Sequence, residues 1–462
     1  MEALSSMMEV LGKNIADIRD IIWGWPLLIL LFGTHLYLTF RLGFIQRFIG
    51  KGIKLSITKD DDSAGDVSQF SSLATALAAT IGTGNIVGVA TAVALGGPGA
   101  VLWTWLTGVF GISTKYAEAL LAVKYRVKTS DGTMAGGPMY VLEYGLKMRW
   151  LGVLFAVFTA MAAFGIGNMT QANSISDMAL KTFNIPTWVT GLVMMALTAV
   201  VIIGGIHSIA KICNILVPFM ALFYVAGCII ILTMGYKTLG ASVMLILKSA
   251  FTGQAAIGGF AGAGVMAAMR FGVARGLFSN ESGLGSAPIV AAAAKTRNPV
   301  SQALVSATGT FWDTVIVCAM TGLVLVNSGA WQKGLVGAEL TKEAFSVIPV
   351  IGPAILTVGL FTFVFSTILG WSYYAEKAIE YLFGKSAIMP YRIVFIFVVF
   401  IGSVTSLNIV WDFSDLTNGL MAIPNLVSLL LLSGVIASET KKYLFDDNID
   451  EISTDEVISI KK

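Results

Sequence analysis

Charge is scarce in this chain. Only 12% of its 462 residues are Asp, Glu, Lys or Arg, while 56% are hydrophobic. Soluble domains carry about 25% charged residues, so an ordinary soluble fold is excluded. Cysteine is scarcer still. Cys213, Cys228 and Cys318 all lie in apolar segments, which excludes a disulfide framework and a metal cluster and leaves each thiol as a small core residue. The two histidines, His35 and His207, form no ligand spacing. No His stands with a nucleophile and no acids are paired, so an enzyme is not expected. The net charge of +3 gives no reason to expect nucleic acid. The first apolar run, "IIWGWPLLILLFGTHLYLTF", lacks the basic start and small-residue cleavage site of a secretory signal. It reads as a retained helix.

What remains is a series of long apolar segments. A spanning helix needs about 20 apolar residues. On that basis eleven are expected, near 21–40, 70–96, 99–124, 151–180, 187–206, 209–235, 253–277, 300–327, 350–380, 389–409 and 412–437. The fold class is therefore an all-α polytopic membrane protein. Lys and Arg alternate between rich and poor loops. Arg41, Arg47, Lys51, Lys54 and Lys59 follow the first span, and Lys124, Arg126, Lys128, Lys147 and Arg149 follow the third. The positive-inside rule then places the N-terminus outside and the C-terminus in the cytoplasm of a cell-membrane protein. The polar tail, residues 441–462, is expected to be mobile and peripheral.

Setting the first helix aside leaves five plus five. Residues 1–68 would hold the extra helix, 69–240 the first repeat and 241–440 the second. An odd number of helices per repeat forces the second to enter from the opposite side, so the repeat is inverted. The first helix of each repeat is glycine-rich, "ATIGTGNIVGVATAVALGGPGA" and "GGFAGAGVMAAMRFGVARGLFSNESGLGSAP". Paired interrupted helices point to the binding site of a secondary transporter.

A helix unwound in hydrocarbon must line a cavity or bind something. Its freed N–H groups suit a carboxylate, and its freed carbonyls suit a small cation. In "IGTGN", Gly82 and Gly84 permit unusual angles and close approach, while Thr83 and Asn85 add side-chain oxygens. Gly84 and Gly88, four apart, also fit simple helix packing. In "FTFVFSTILGWSYYAEK", Ser366 and Thr367 offer hydroxyls to a hard cation or merely bond back to their own helix. Trp371 shares a face with Thr367. In "MAAFGIGNMTQANSIS", Phe164, Gly165, Asn168 and Gln171 mix small and amide groups. Glu118, Asp177, Arg270 and Asp313 are the charges within the spans. Glu118 is expected to pair with Lys115, and Asp313 with Arg270. No acid stands inside "IGTGN", which favours Na⁺ over H⁺ coupling. The second break falls either at "GGFAG", 258–262, or at "MRFGV", 269–273, with Phe271 and Gly272 preferred.

The segments "GTGNIVGVATAVALGGPGAVLWTWL", "STKYAEALLAVKYR", "AGGPMYV", "FGVARGLFSNESGLGSAP" and "STILGWSYYAEKAIEYLFG" together resemble the alanine or glycine:cation symporter family, over about residues 20–440. That resemblance implies a leucine-transporter-like fold with five-plus-five inverted repeats. It implies that the amides of Thr83 and Gly84 hold the substrate carboxylate, within a site of Thr80, Ile81, Gly82, Thr83 and Gly84. It implies one sodium held by Ala78, Ile81, Phe363, Ser366 and Thr367, with Asn85 matching a ligand of a second. Phe164, Gly165, Gln171, Thr367 and Trp371 would wall a small pocket, joined by Phe271 and Gly272. The expected activity is uptake of alanine or glycine coupled to sodium as co-substrate, in the lipid bilayer and without a cofactor. The alternatives are a proton-coupled or other small-zwitterion symporter on the same fold, and an amino-acid sensor that transports nothing.

Overall fold

The computed structural model describes residues 2–58, 63–252, 264–405, 407–454 and 456–460, with side chains from residue 12 onward except at 407–409. Helices dominate. In chain order they are α1 (Glu2–Ile22), α2 (Trp25–Arg41), α3 (Ile49–Ser56), α4 (Gln69–Thr80), α5 (Val89–Gly96), α6 (Ala100–Lys124) and α7 (Pro138–Tyr140). Then come α8 (Arg149–Phe164), α9 (Thr170–Phe183), α10 (Thr187–Ile202), α11 (Gly205–Met234), α12 (Tyr236–Phe251), α13 (Val265–Asn280) and α14 (Pro288–Ala291). The rest are α15 (Pro299–Thr310), α16 (Ala319–Asn327), α17 (Gly337–Phe345), α18 (Ile351–Phe383), α19 (Ile388–Val404), α20 (Leu407–Leu431) and α21 (Ser433–Thr440).

The first part of the expected span 253–277 lies outside the described residues; each of the others coincides with a helix or a bent helix pair. Among the described residues, five helices are long and apolar enough to cross a membrane, or eight if each bent pair counts as one span. The apolar character is that of a membrane wall. Val200, Leu222 and Phe397, on α10, α11 and α19, are 80%, 72% and 58% exposed. Water would penalise such faces, and hydrocarbon does not.

Two helices carry the interior. Long α18 packs on α4, α8, α9 and α11, and α6 packs on α13 and α15. Glycines permit these close approaches. A Cβ at Gly370 would come within 2.7 Å of Ala79, and one at Gly276 within 2.1 Å of the Thr107 hydroxyl.

The tail departs from expectation. The α20–α21 pair bends by 58° and its helical run reaches Phe445. The chain then crosses the loop face. Strand β1 (Val127–Lys128) pairs antiparallel with β2 (Met134–Ala135) and parallel with β3 (Ile458–Ser459). The Ser453 amide donates to the Arg297 carbonyl at 2.7 Å, and Asn298 donates to the carbonyls of Ile449 and Glu451. These bonds, and the burial of Tyr443, Leu444 and Ile449 in the core, are masked by the tail's polar composition.

Candidate functional site

Ser68 caps α4 by accepting from the Ser71 amide. Twelve residues on, α4 stops. Ile81 turns extended, with φ −75° and ψ 94°. A π-turn over Gly84–Gly88 then leads into α5, at 50° to α4. In a continued α-helix the amides of Gly82 and Thr83 would bond the carbonyls of Ala78 and Ala79. Instead Gly82 donates to Asn85 Oδ1 at 2.8 Å and Thr83 to Gln171 Oε1 at 3.0 Å. The carbonyls of Ala78 and Ala79 thus lose their helical partners. The break frees donors on one side and acceptors on the other.

Gly82 serves by its size. A Cβ there would lie 2.4 Å from Thr367 Oγ1 and 3.0 Å from Gln171 Oε1. At Gly84 it would meet Ser279 Cα at 3.1 Å and Phe278 Cδ1 at 3.2 Å. Neither glycine has a positive φ, so close approach is the requirement here and unusual backbone angles are not.

Oxygen atoms gather at the end of α4. Thr367 Oγ1 donates toward the Ile81 carbonyl at 3.2 Å and the Phe363 carbonyl at 3.0 Å. Ser366 Oγ donates to the same Phe363 carbonyl at 2.9 Å. The back-bonding expected of these hydroxyls is present. They bond back to α18, and Thr367 also ties α18 to the broken helix. Thr80 bonds back, to the carbonyls of Ala76 and Leu77.

Asn85 opens a second cluster. Its Nδ2 donates to Asp313 Oδ1 at 2.7 Å and lies 3.3 Å from Cys318 Sγ. Ser279 and Thr314 donate to Asp313 Oδ2 at 3.0 and 2.6 Å. Asp313 does not pair with Arg270, which reaches Asp20 at 3.5 Å instead. The acid missing from "IGTGN" is thus supplied by the π-turn Phe311–Cys318.

Gln171 faces the break, but Phe164 and Gly165 do not. Phe164 packs at a tilt against Tyr391 and Phe395, at 4.9 and 6.0 Å between ring centroids. Gly165 packs on Ser414, where a Cβ would come within 2.8 Å. The cause is the π-turn Gly165–Met169. One extra residue in a helix rotates the next turns by about 100°, so the positions 164 and 171 lose their common face. Asn168 turns to the Phe395 carbonyl at 2.7 Å. Gly167 takes the place beside Trp371, where a Cβ would lie 2.3 Å from Trp371 Cβ.

The second break is not at Phe271 and Gly272. Helix α13 runs unbroken from Val265 to Asn280. Gly272 lets α6 approach, since a Cβ would lie 2.5 Å from the Ala100 carbonyl. The other position, 258–262, lies outside the described residues. Past α13 the chain unwinds at Glu281–Ala287, a second break in the helical run, where Glu281, Gly283 and Gly285 have φ of 55°, 91° and 85°. Buried Glu118 holds this turn. Its Oε1 accepts from the amides of Gly283 and Gly285 at 2.9 and 3.0 Å and from Asn425 Nδ2 at 2.6 Å. Glu118 therefore caps a turn rather than pairing with Lys115. Glu281 itself accepts the indole N–H of Trp371 at 2.8 Å. Sequence reasoning passes over Glu281, Ser279, Thr314 and Gly167. The signal for Glu281 is present in "SNESGLGSAP", an acid among residues that tolerate positive φ.

The site is shut on both sides. Ile81, Thr83 and Asn85 have 0% exposure. On one side Phe278, which meets Gly84, stacks on Trp411 at 5.2 Å, with the Arg275 guanidinium 5.5 and 5.1 Å from their centroids. Arg275 also pairs with Asp415 at 2.9 Å, and Arg19 with Asp412. Beyond them lies a charged cavity of about 550 Å³, also lined by Asp177, Lys181 and Glu339. On the other side Val67 bridges Ala294, and Arg126 donates to the carbonyls of Ala292, Ala294 and Ala64. Asp66 lies here, accepting from the Met134 amide at 2.9 Å, and its burial raises its carboxyl above the usual range.

The model of the sodium:alanine symporter family matches residues 8–455. The chain belongs to that family. It is 52% identical over 440 residues to the sodium/alanine symporter AgcS of Methanococcus maripaludis, covering 93% of this chain and 96% of that one. It is 53% identical over 449 residues to an uncharacterized transporter of Haemophilus influenzae, covering 96% and 98%. The fold is that of MhsT, solved in complex with L-phenylalanine. The TM-score is 0.58 at 16% identity, covering 82% of this chain and 92% of that one. The family is one of membrane transporters rather than enzymes, and this chain is a multi-pass helical membrane protein with the leucine-transporter-like fold.

Proposed function

We propose that the protein is a Na⁺-coupled symporter for a small neutral amino acid, with alanine and glycine as substrates. The observation that carries this reading is the break at Ile81–Thr83. Its amides turn to acceptors on one side and the Ile81 carbonyl meets the Thr367 hydroxyl on the other. Gln171 Oε1 stands where a carboxylate oxygen would, accepting from the Thr83 amide and hydroxyl at 3.0 and 2.7 Å. A substrate carboxylate takes over those donors, with the amide of Gly84 next in line. One sodium takes the carbonyls of Ala78, Ile81 and Phe363 and the hydroxyls of Ser366 and Thr367. All are oxygen donors, as a hard cation requires. Asn85 and Asp313 suit a second. Thr367 and Trp371 form the α18 wall. AgcS, named a sodium/alanine symporter, supports the choice of ion and substrate.

The same reading holds eleven spans, with the N-terminus outside and the C-terminus cytoplasmic. Residues 69–240 and 241–440 are its inverted repeats. The first opens on a helix broken at 81–83, and in the second the chain unwinds at 281–287, after α13. Alternating access then rocks one group of helices against the other around the midplane site. Proton coupling is the second reading, favoured by the buried Asp313 carboxylate against Asn85.

Calorimetric titration of L-alanine into purified protein tests the binding step. Binding in Na⁺ and none in K⁺ is expected. Equal binding in both salts would remove sodium from the site. Backbone donors read a carboxylate and not chirality, so D-alanine is expected to compete.

A further inference from the structure

Glu281 is a buried acid that the sodium and carboxylate sites do not use. It is 1% exposed, stands at the first residue of the second break and has a left-handed backbone. Its carboxylate is held from two elements. Oε1 accepts the Trp371 indole N–H at 2.8 Å, and Oε2 accepts the Ser286 hydroxyl. Trp371 is in turn fixed on its other faces. Its side chain lies against Gly167, where any Cβ would come within 2.3 Å, and Tyr374 meets its ring edge-on at 5.5 Å. On α18, Trp371 follows Thr367 by one helical turn. Thr367 contacts Ile81, so the indole lies one turn from the first break.

We propose that Glu281 is a positioning residue that sets substrate size by fixing the Trp371 indole as the floor of the amino-acid pocket. The inference rests on the symporter reading above. A tryptophan wall limits a side chain only if the ring cannot swing. Packing on Gly167 fixes the root of the side chain, and the bond to Glu281 fixes its far edge. Because Glu281 belongs to the second break and Trp371 to α18, the floor also joins the two elements that frame the site.

The test is selectivity in reconstituted vesicles. Labelled alanine uptake is competed with alanine, serine, valine and leucine. Glu281→Met keeps length and removes the acceptor. It is expected to leave the KM for alanine within about threefold while valine and leucine compete at least tenfold better. Glu281→Gln keeps the acceptor and is expected to restore wild-type selectivity. In a Trp371→Phe background, which has no indole N–H, Glu281→Met is expected to change selectivity no further. A uniform loss of uptake with unchanged selectivity would overturn the proposal, as would independent effects of the two residues. Should Glu281→Met not fold, Glu281→Asp, whose shorter side chain withdraws the acceptor from the indole N–H, is expected to shift selectivity the same way with Trp371 present and not in the Trp371→Phe background. A shift in selectivity that persists without the indole N–H would overturn the proposal. Wild-type vesicles that take up no alanine would instead overturn the symporter reading.

Discussion

Gln171 Oε1 sits 3.0 Å from the amide of Thr83 and 2.7 Å from its hydroxyl, while its Nε2 is anchored on the Ile166 carbonyl at 2.8 Å. The side chain spans from the π-turn of one helix to the break of another. Its oxygen occupies the donors that the proposed site gives to a substrate carboxylate. On that proposal the two compete for one place.

Gln171→Glu tests that competition. It keeps the shape and adds a negative charge beside the incoming carboxylate. Two like charges about 4 Å apart repel by about 4 kcal/mol at an effective dielectric of 20. Alanine binding measured at pH 8 is expected to weaken at least about 100-fold. Gln171→Met removes the competing acceptor without adding charge, and its binding is expected to stay within about tenfold of wild type.

Thr367 joins α18 to the broken helix through the Ile81 carbonyl. Thr367→Ala removes one oxygen from the proposed sodium shell. The Na⁺ concentration for half-maximal uptake is expected to rise about tenfold, with protein yield unchanged. Thr367→Ser keeps the hydroxyl and is expected to stay near wild type. If the hydroxyl served only its bond to Phe363, Na⁺ dependence would not move in either variant.

Glu118 holds the second break by accepting two backbone amides and the Asn425 side chain. Glu118→Ala leaves those buried donors unpaired, at about 1–3 kcal/mol each. A lower thermal midpoint, by about 5–10 °C, is expected in detergent. Glu118→Gln retains an acceptor and is expected to lose less. An unchanged midpoint for the alanine variant would mean that water replaces the carboxylate.

The first break is legible because its signal is local. Glycine, hydroxyl and amide stand side by side in an otherwise apolar run at 82–85. Of the two places expected for the second, Phe271–Gly272 lies within unbroken α13, and 258–262 lies outside the described residues. Gly272 and Gly276 serve helix packing, whereas the residues that need positive φ lie past Asn280, in a stretch that reads as a connecting turn. The fate of Phe164 is hidden by the π-turn Gly165–Met169, since one extra residue leaves no mark in composition. The contact of Asn85 with Asp313 joins positions 228 apart, and one sequence carries no trace of it.

The tail, whose polar composition also conceals its contacts, offers its own check. Removing residues 446–462 deletes β3 and the bonds to Arg297 and Asn298. Amide exchange is expected to quicken at 126–135 and 292–298 and to stay unchanged in α18. Unchanged exchange at both loops would mean that the tail rests there without holding them.

Labelled alanine uptake into proteoliposomes decides whether alanine and sodium share a site at the break. It is measured with an inward Na⁺ gradient, and again with K⁺ replacing Na⁺. The expected result is accumulation above equilibrium with Na⁺ alone, abolished in Gly82→Leu, whose side chain would fill the break. Uptake indifferent to Na⁺, or untouched in Gly82→Leu, would contradict a joint alanine and sodium site at Ile81–Thr83.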